Sequence, residues 1–362
     1  MLIGLLMENT FSFEKLAGPL IYGRMNLLDH PHHIITHPVT ESVRTAAIFG
    51  ANGIGKSNIV KGFAFLQETV LSGKLPRNAK TTSWKQNNAP QKLCIGFTCK
   101  KTPFYYGIEF TKGRVNTEEL SVMNVEDGDQ SELIFKRTTD PKGCTQITFG
   151  AQLKNQKERN HLKHWVSSTV GDQDSVMKML SNNKYISLIK SAFNWFKNNL
   201  IIVPTNGALP NSLVASNISQ GEQNLQTLKD AIQMVEQKDV AIIMDDMGQG
   251  VHPIAVEEEI RRHSNKRRVL GQLIFTTHQT NLINEDILRR DEIFMVGEAQ
   301  SGWCPGKKER RKVPSEVYSL GEYKSSILDK FQLNYYRIQR WGGVPIPNTL
   351  VNKYFNSPHK GY

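Results

Sequence analysis

The residues with the clearest potential for chemistry form one glycine-rich run, Gly50-Ala51-Asn52-Gly53-Ile54-Gly55-Lys56-Ser57, with Asn58 directly behind it. The run fits the G-x-x-x-x-G-K-[ST] pattern at every position. Glycines let the backbone curl so that its N–H groups point at phosphate oxygens, and the start of the following helix adds its positive dipole end. Lys56 can reach the β- and γ-phosphates and the Ser57 hydroxyl can ligate Mg²⁺. The run therefore predicts a site for ATP with Mg²⁺.

Two carboxylates, Asp245 and Asp246, follow the apolar run Ala241 to Met244. Such a run is typical of a buried strand in a parallel sheet, and ligands bind where these strands end. Asp245 would hold Mg²⁺ through water, and Asp246 would polarise the attacking water. Apolar runs that end in Asp are common, so the signal depends on its pairing with the glycine-rich run.

Two further features could complete such a site. His278 follows a second apolar run, QLIFTT, and could contact the γ-phosphate; a structural buried histidine is the alternative. A predicted helix begins at Ser219, Gln220, Gly221 and Glu222. Ser219 and Glu222 fit a capping box, which explains the pattern structurally. The functional alternative is that this helix end faces a nucleotide held by another subunit.

The elements that must position these residues are those of an α/β protein. An apolar strand precedes the glycine-rich run and a helix, residues 57–71, follows it. A period of two between residues 93 and 150 predicts an antiparallel β subdomain, and residues 151–200 are helical in character. The predicted organisation divides the chain as follows: an N-terminal part of the ATPase core (1–92), the β subdomain (93–150), a helical subdomain (151–200), a C-terminal part of the core (201–300), and a basic loop and tail (301–362).

Composition limits the function classes. The 362 residues carry a formal net charge of +11, which suggests a polyanionic partner. Two basic clusters, 261–268 and 307–312, could bind nucleic acid through its phosphates, and solvated loops are the alternative.

No apolar run is long enough to span a membrane, and no signal peptide is evident at the start. The four cysteines form no paired motif, which favours reduced thiols and a cytoplasmic location.

Three histidines, His30, His32 and His33, lie close together in the sequence. A metal site would need a further ligand nearby in the sequence, and none is present. The pattern therefore favours a polar loop.

The order of these features resembles that of ABC-type ATPase heads, including the SMC-like and RecF-like ones. More narrowly, the chain is similar to the "AAA ATPase" proteins of bacterial and prophage defence and abortive-infection loci, which are ABC-type despite the label. The resemblance covers most of the chain and is densest at residues 1–71 and 193–345. It is carried by LLMENTFSF, AAIFGANGIGKSNIVKGFAFL, FNWFKNNLIIVP, QLIFTTHQTNLINEDILRRDEIFMV, VYSLGEY and a late GGVPIP.

The resemblance implies a role for each motif. Residues 50–57 would be the Walker A loop, and residues 219–222 the signature segment that acts on a partner's γ-phosphate. Asp245 would be the Walker B residue and His278 the switch histidine. Asp246 stands where the family usually has Glu, and residues 247–251 depart from the family's D-loop. Because Asp is one methylene shorter, slow hydrolysis is expected. Gln91 is the one weak candidate for the Q-loop glutamine.

The resemblance implies a homo-oligomer with nucleotides sandwiched between subunits, which senses phage infection and controls an effector protein such as a nuclease or toxin. Two alternatives stay open. One is a DNA-repair ATPase that acts directly on DNA, and the other is a nucleotide-gated scaffold with negligible hydrolysis.

Overall fold

The computed structural model describes residues 1–21, 23, 29–36, 41–85, 88–123, 131–182, 187–210, 219–298 and 314–322. Its strands are β1 Leu2–Glu8, β2 Ile34–Thr36, β3 Glu41–Val43, β4 Thr45–Phe49, β5 Gln91–Cys99, β6 Thr102–Thr111, β7 Arg114–Val122, β8 Glu132–Thr139, β9 Thr145–Phe149, β10 Leu200–Val203, β11 Ala241–Met244, β12 Gln272–Thr276, β13 Ile293–Glu298 and β14 Ser315–Ser319. Its helices are α1 Lys56–Ser72, α2 Gln156–Thr169, α3 Met177–Ser181, α4 Ser187–Asn198, α5 Gln220–Gln237 and α6 Pro253–Ser264.

A mostly parallel sheet positions the chemical residues. Its order is β10-β11-β12-β4-β13-β14, and β14 is the antiparallel member within the described residues. The strands β4, β11 and β12 are buried along their whole length, because helices or the second sheet cover both faces. The carboxyl ends of β10, β11, β12 and β4 therefore meet at one edge of the sheet.

The second sheet is antiparallel, in the order β1-β5-β6-β7-β8-β9. Its period-two pattern is clearest in β9, where Thr145, Ile147 and Phe149 are buried and the two residues between them are exposed. Strand β1 ends at Glu8. Asn9 and Phe11 adopt positive φ, and the chain turns so that the N–H of residue 10 bonds the carbonyl of Phe13.

Helix α1 lies between the two sheets. Gly62 faces β1, where an added Cβ would lie 2.5 Å from the Met7 sulfur and 3.0 Å from Leu5. The buried Phe63 and Leu66 join the same core. Gly73 ends the helix at φ +80°, as expected for a left-handed C-cap. Helices α5 and α6 contribute to a second core on the other face of the parallel sheet.

The helical segment packs on the antiparallel sheet through aromatic side chains. The Trp195 ring stacks on Phe97 of β5 with centroids 4.1 Å apart, and Phe196 meets the same ring edge-on. Trp195, Phe196 and Leu200 are buried and Phe193 is half-buried, so packing accounts for this apolar face.

The predicted fold class is confirmed: the protein is α/β, with a glycine-rich loop at the edge of a mostly parallel sheet, an antiparallel sheet and a helical insertion. The exact bounds of the five predicted segments stay a prediction. In the part of the chain that the structure describes, no helix has the length and apolar character that crossing a membrane requires. The basic cluster 307–312 and the late GGVPIP lie outside the described residues.

Candidate functional site

The glycine-rich loop joins β4 to α1. Two of its positions need glycine, because the backbone has positive φ there or because neighbouring atoms leave no room for a side chain. Gly53 has φ +77° and an added Cβ would meet nothing, so its backbone angle is the constraint. Gly55 has φ +114°, and its Cβ would lie 2.4 Å from Ser12 Oγ and 2.6 Å from Ser315 Oγ. The loop is therefore supported from behind by two serines that come from opposite ends of the described chain.

Lys56 opens α1 with a side chain that is 7 % exposed. Its ammonium donates to the carbonyl oxygens of Gly50 at 2.7 Å and of Ala51 at 3.0 Å. Burial lowers the pKa of Lys56 to about 8, although the nearby carboxylates of Asp246 and Asp245 act in the opposite direction. The side chain thus holds a partly desolvated positive charge inside the loop, where a phosphate oxygen could replace a carbonyl as its partner.

Ser57 and Asp245 meet at the same edge of the sheet. The Ser57 hydroxyl donates to Asp245 Oδ1 at 3.0 Å. The same oxygen accepts a 2.7 Å bond from the Thr276 hydroxyl, and Oδ2 accepts a 3.0 Å bond from Thr205. Hydroxyl and carboxylate oxygens are the ligands that Mg²⁺ prefers. These side chains could hold a divalent cation, directly or through water.

Asp246 lies next to this cluster in a left-handed conformation, with φ +52°. Asp is one of the few residues that adopt this conformation with little strain. Its backbone N–H donates to the Thr276 hydroxyl at 2.7 Å. The carboxylate is half-buried and its charge acts on both Lys56 and His278.

His278 lies two residues beyond the end of β12 and is exposed, so the alternative of a buried structural histidine does not apply. Partial desolvation, followed by the positive charge of Lys56, lowers the pKa of His278, and the carboxylates of Asp246 and Asp245 oppose this effect. The imidazole is therefore mostly neutral at pH 7 and able to accept a hydrogen bond.

Ser219, Gln220 and Glu222 are exposed at the start of α5, and Gly221 is half-buried. The predicted capping box is present: Ser219 Oγ accepts from the Glu222 N–H at 3.3 Å, and Glu222 Oε2 accepts from the Ser219 N–H at 2.9 Å.

Gly221 fixes this helix start against the loop that follows β11. A Cβ at Gly221 would lie 2.4 Å from the carbonyl oxygen of Gly250. One turn further on, the Asn224 side chain donates to the carbonyl oxygen of Gln249 at 2.7 Å. The segment thus packs against this loop while its polar end stays open to solvent.

Several supporting residues were not found from the sequence. Thr205 and Thr276 hold Asp245, and both follow or end strands of the parallel sheet, so the rule that points to Asp245 could have found them. Ser12 and Ser315 carry no such signal. The Asn58 amide donates to Ser12 Oγ at 2.9 Å, which places Asn58 in this supporting layer behind the loop.

Gln91 bonds the segment that joins α1 to β5. It is 1 % exposed at the start of β5, accepts a 2.6 Å bond from the Thr82 hydroxyl and donates to the carbonyl of Ala79. These bonds satisfy its amide within the antiparallel sheet region. Gln91 therefore has a structural role in this conformation.

The first basic cluster is largely neutralised. Arg261 pairs with Glu257 at 3.0 Å, Arg262 with Glu259 at 2.8 Å, and Lys266 with Glu236. The remaining members, Arg267 and Arg268, are exposed. The cluster thus offers less unpaired positive charge than its sequence suggests.

Fold and site together define a P-loop nucleotide-binding protein. The family model described as "AAA domain, putative AbiEii toxin, Type IV TA system" matches residues 46–233, more than half of the chain. The chain belongs to this family, which confirms the resemblance to the "AAA" ATPases of the abortive-infection kind. It is therefore a P-loop ATPase.

Solved structures of low similarity include two SMC heads. One is the SMC head bound to the C-terminal winged-helix domain of ScpA, at 13 % identity and a TM-score of 0.38, covering 88 % of this chain and 97 % of the other. The other is the SMC head domain from Thermotoga maritima, at 14 % identity and a TM-score of 0.38, covering 88 % of this chain and 98 % of the other. No curated protein matches the chain.

Proposed function

We propose that the protein binds Mg·ATP, hydrolyses it slowly and assembles through nucleotide-sandwich interfaces to control a partner effector in anti-phage defence. The observation that supports nucleotide binding is the 3.0 Å hydrogen bond between Ser57 and Asp245, directly beside Lys56 of the glycine-rich loop. It joins the start of α1 to the end of β11, where the two side chains would hold Mg²⁺.

The residues for nucleotide binding are those of the loop. The N–H groups of residues 50–57 and the positive end of the α1 dipole would hold the phosphates. Lys56 would turn from the Gly50 and Ala51 carbonyls to the β- and γ-phosphate oxygens. Ser57 and Asp245 would hold Mg²⁺, which when bound neutralises the charge on those oxygens.

Hydrolysis would depend on Asp246 and His278. Asp246 would orient and polarise the attacking water, and the neutral imidazole of His278 would accept a hydrogen bond beside it. An Asp carboxylate reaches about 1.5 Å less far than Glu, and a displacement of about 1 Å can cost roughly 100-fold in rate. Slow turnover suits a switch in which bound ATP holds subunits together.

Assembly would use the exposed start of α5. Residues 219–222 present a helix N-terminus that is already capped, yet open to solvent. A helix N-terminus favours an anion such as the γ-phosphate of a nucleotide bound to a second subunit. Two such contacts by symmetry would close a dimer around two nucleotides.

The defence role rests on the family and on the resemblance of the motifs. The sequence contains no second constellation for nucleic-acid cleavage or covalent chemistry, so a separate nuclease or toxin in the cytoplasm would supply the effect. A scaffold with negligible hydrolysis is the second candidate, favoured by the short Asp246 side chain. Direct action on DNA would rely on Arg267, Arg268 and the 307–312 cluster.

The test measures the native mass of the purified protein and of the protein recovered with its partners from its own cells. Each sample is measured with Mg·ATP and without nucleotide. A defined oligomer that forms with Mg·ATP and retains a second protein supports the proposal. An unchanged mass with co-purifying DNA would instead support the DNA-repair alternative. Assembly with ATP in the absence of measurable phosphate release would support the scaffold.

A further inference from the structure

The three histidines near the start of the chain form a compact cluster. His33 is buried, and His30 and His32 are half-buried on either side of it. One ring nitrogen from each lies within 4.8 Å of the other two. The His33 ring stacks on His30 with centroids 4.8 Å apart and meets His32 edge-on at 4.7 Å. In the described part of the chain, this is the one group of three or more such side chains placed to share an ion.

Each ring uses one nitrogen to contact an oxygen. His30 Nε2 lies 2.8 Å from the carbonyl oxygen of Glu285, and His32 Nε2 lies 3.1 Å from that of Ser264. A carbonyl can only accept a hydrogen bond, so these nitrogens carry the ring protons. In the neutral ring the remaining Nδ1 then presents a lone pair.

The third ring shows the same arrangement with a carboxylate. His33 Nδ1 lies 2.7 Å from Glu292 Oε2. In almost every metal-ligating histidine, the ring nitrogen that does not bind the metal donates a hydrogen bond to an oxygen. This bond fixes the tautomer and the orientation of the ring. The oxygen partners come from three separate segments of the chain, so the tertiary fold, and not the local sequence, produces the arrangement.

One ring nitrogen of His33 is buried without a hydrogen-bond partner among the described residues. The residue is 1 % exposed, and the nitrogen is Nε2. Buried polar atoms without a partner are rare, because they lose the hydrogen bond that water would supply. A bound cation beside the half-buried His30 and His32 would satisfy this nitrogen.

We propose that His30, His32 and His33 bind a divalent transition-metal ion, with Zn²⁺ the best match to three imidazoles. Zinc sits about 2.1 Å from imidazole nitrogens, so ligand nitrogens lie roughly 3.4 Å apart in tetrahedral geometry. Small rotations of the two half-buried rings would close the cluster on the fixed His33, and water would complete the coordination.

A guanidinium and a carboxylate lie beside the cluster. Arg44 places a guanidinium nearby and donates to the Ser264 carbonyl at 2.7 Å. Its charge is offset by Glu292, whose carboxylate holds His33.

The site would be separate from the nucleotide loop. The N–H of Arg44, just before β4, donates to the His33 carbonyl at 3.0 Å, while the glycine-rich loop follows the other end of β4. Ser264 ends α6 and Glu292 directly precedes β13. The ion would tie residues 30–33 to these elements at the amino edge of the sheet, as a structural brace independent of ATP.

The experiment titrates chelator-treated, full-length protein with zinc sulfate by calorimetry. We expect one Zn²⁺ per chain in the unaltered protein, and an affinity at least about tenfold weaker in both His30→Gln and His32→Gln. His161→Gln, at an exposed position on α2, is the matched control and should bind as the unaltered protein does. Absence of binding, or equal affinity in all four proteins, would overturn the site.

Substitution with Co²⁺ gives a second readout that needs no variant. Binding to three imidazoles should give the intense visible absorption of four-coordinate Co²⁺. The weak absorption of octahedral, water-bound Co²⁺ would overturn the proposal. Lys56→Ala should leave both metal readouts unchanged, so failure of the metal site and failure of the ATP site can be told apart.

Discussion

The Ser57 hydroxyl, at the start of α1, bonds the Asp245 carboxylate at 3.0 Å although the strands that precede them, β4 and β11, are not neighbours in the sheet. The strand between them, β12, supplies Thr276, whose hydroxyl donates to the same carboxylate oxygen at 2.7 Å. Residues that end or follow three adjacent strands thus meet at one oxygen. This convergence, and not the glycine-rich loop alone, makes the edge of the sheet suitable for a cation beside phosphates.

Replacement of Asp245 should therefore weaken Mg²⁺ binding. Asp245→Asn keeps the size of the side chain and removes its charge, so we expect the Mg²⁺ affinity of the ATP complex to fall roughly 10- to 100-fold. ATP affinity titrated against Mg²⁺ concentration measures this effect. Asp286→Asn, an exposed carboxylate elsewhere, is the control. Identical Mg²⁺ dependence in both variants would exclude Asp245 from the cation site.

ATP binding should depend on pH through Lys56. Its pKa is lowered to about 8 in the free protein, and phosphates around the ammonium would raise it again. Affinity should then be constant well below pH 8, where Lys56 is charged in both states. Above that pH, binding must take up a proton, so affinity should fall by up to about tenfold per pH unit.

Calorimetry with a non-hydrolysable ATP analogue in buffers of different ionisation enthalpy would detect this proton uptake. Lys56→Arg is the control, because a guanidinium keeps its charge throughout the range. Equal pH profiles for the unaltered protein and Lys56→Arg between about pH 7 and about pH 9.5 would show that Lys56 does not titrate on binding.

Asp246 should affect turnover more than binding. In Asp246→Asn the amide cannot polarise water as a carboxylate does, so we expect phosphate release to fall at least about tenfold while ATP affinity is retained. The variant should accumulate as an ATP-bound assembly. Parallel measurements of phosphate release and native mass check both effects. Unchanged release would assign water activation to another residue.

The start of α5 should act on a nucleotide of another subunit. Ser219→Asp keeps a good N-cap and hence the helix, but places a negative charge where a γ-phosphate would approach. We expect normal thermal stability and loss of assembly with Mg·ATP. Ser219→Asn, which also caps well and adds no charge, is the matched control. Equal assembly of the two variants would remove residues 219–222 from the interface.

A mixing experiment makes this prediction independent of stability. Lys56→Ala damages only the nucleotide loop, and Ser219→Asp damages only the opposing face. In a mixed dimer, the intact loop of the Ser219→Asp subunit would face the intact residues 219–222 of the Lys56→Ala subunit. One of the two nucleotide interfaces would then be undamaged. Recovery of part of the ATPase activity on mixing, when each variant alone is inactive, is the expected result; no recovery contradicts action between subunits.

Local sequence patterns predicted much of the architecture. The bounds of α1 differ from the periodic segment 57–71 by one residue at each end, because a glycine with positive φ stands at either limit. The buried runs that became β11 and β12 are short, apolar and followed by polar residues, so their position and ends were both evident. The capping box at Ser219 is equally local.

Features that depend on tertiary contacts could not be predicted. The serines behind the loop, Ser12 and Ser315, meet only because β1 and β14 bring distant segments to Gly55. The histidine cluster gained its oxygen partners from residues more than 200 positions away, so its sequence alone favoured a polar loop. The neutralisation of the first basic cluster similarly required Glu236 from α5.

The most direct test of the account compares ATP affinity in the unaltered protein, Lys56→Ala and Lys61→Ala. Lys61 lies on the same helix, is exposed and provides the matched loss of charge. We predict that Mg·ATP binds the unaltered protein and Lys61→Ala equally, and Lys56→Ala at least about 100-fold more weakly. Equal affinity for Lys56→Ala would contradict the assignment of residues 50–57 as the nucleotide site.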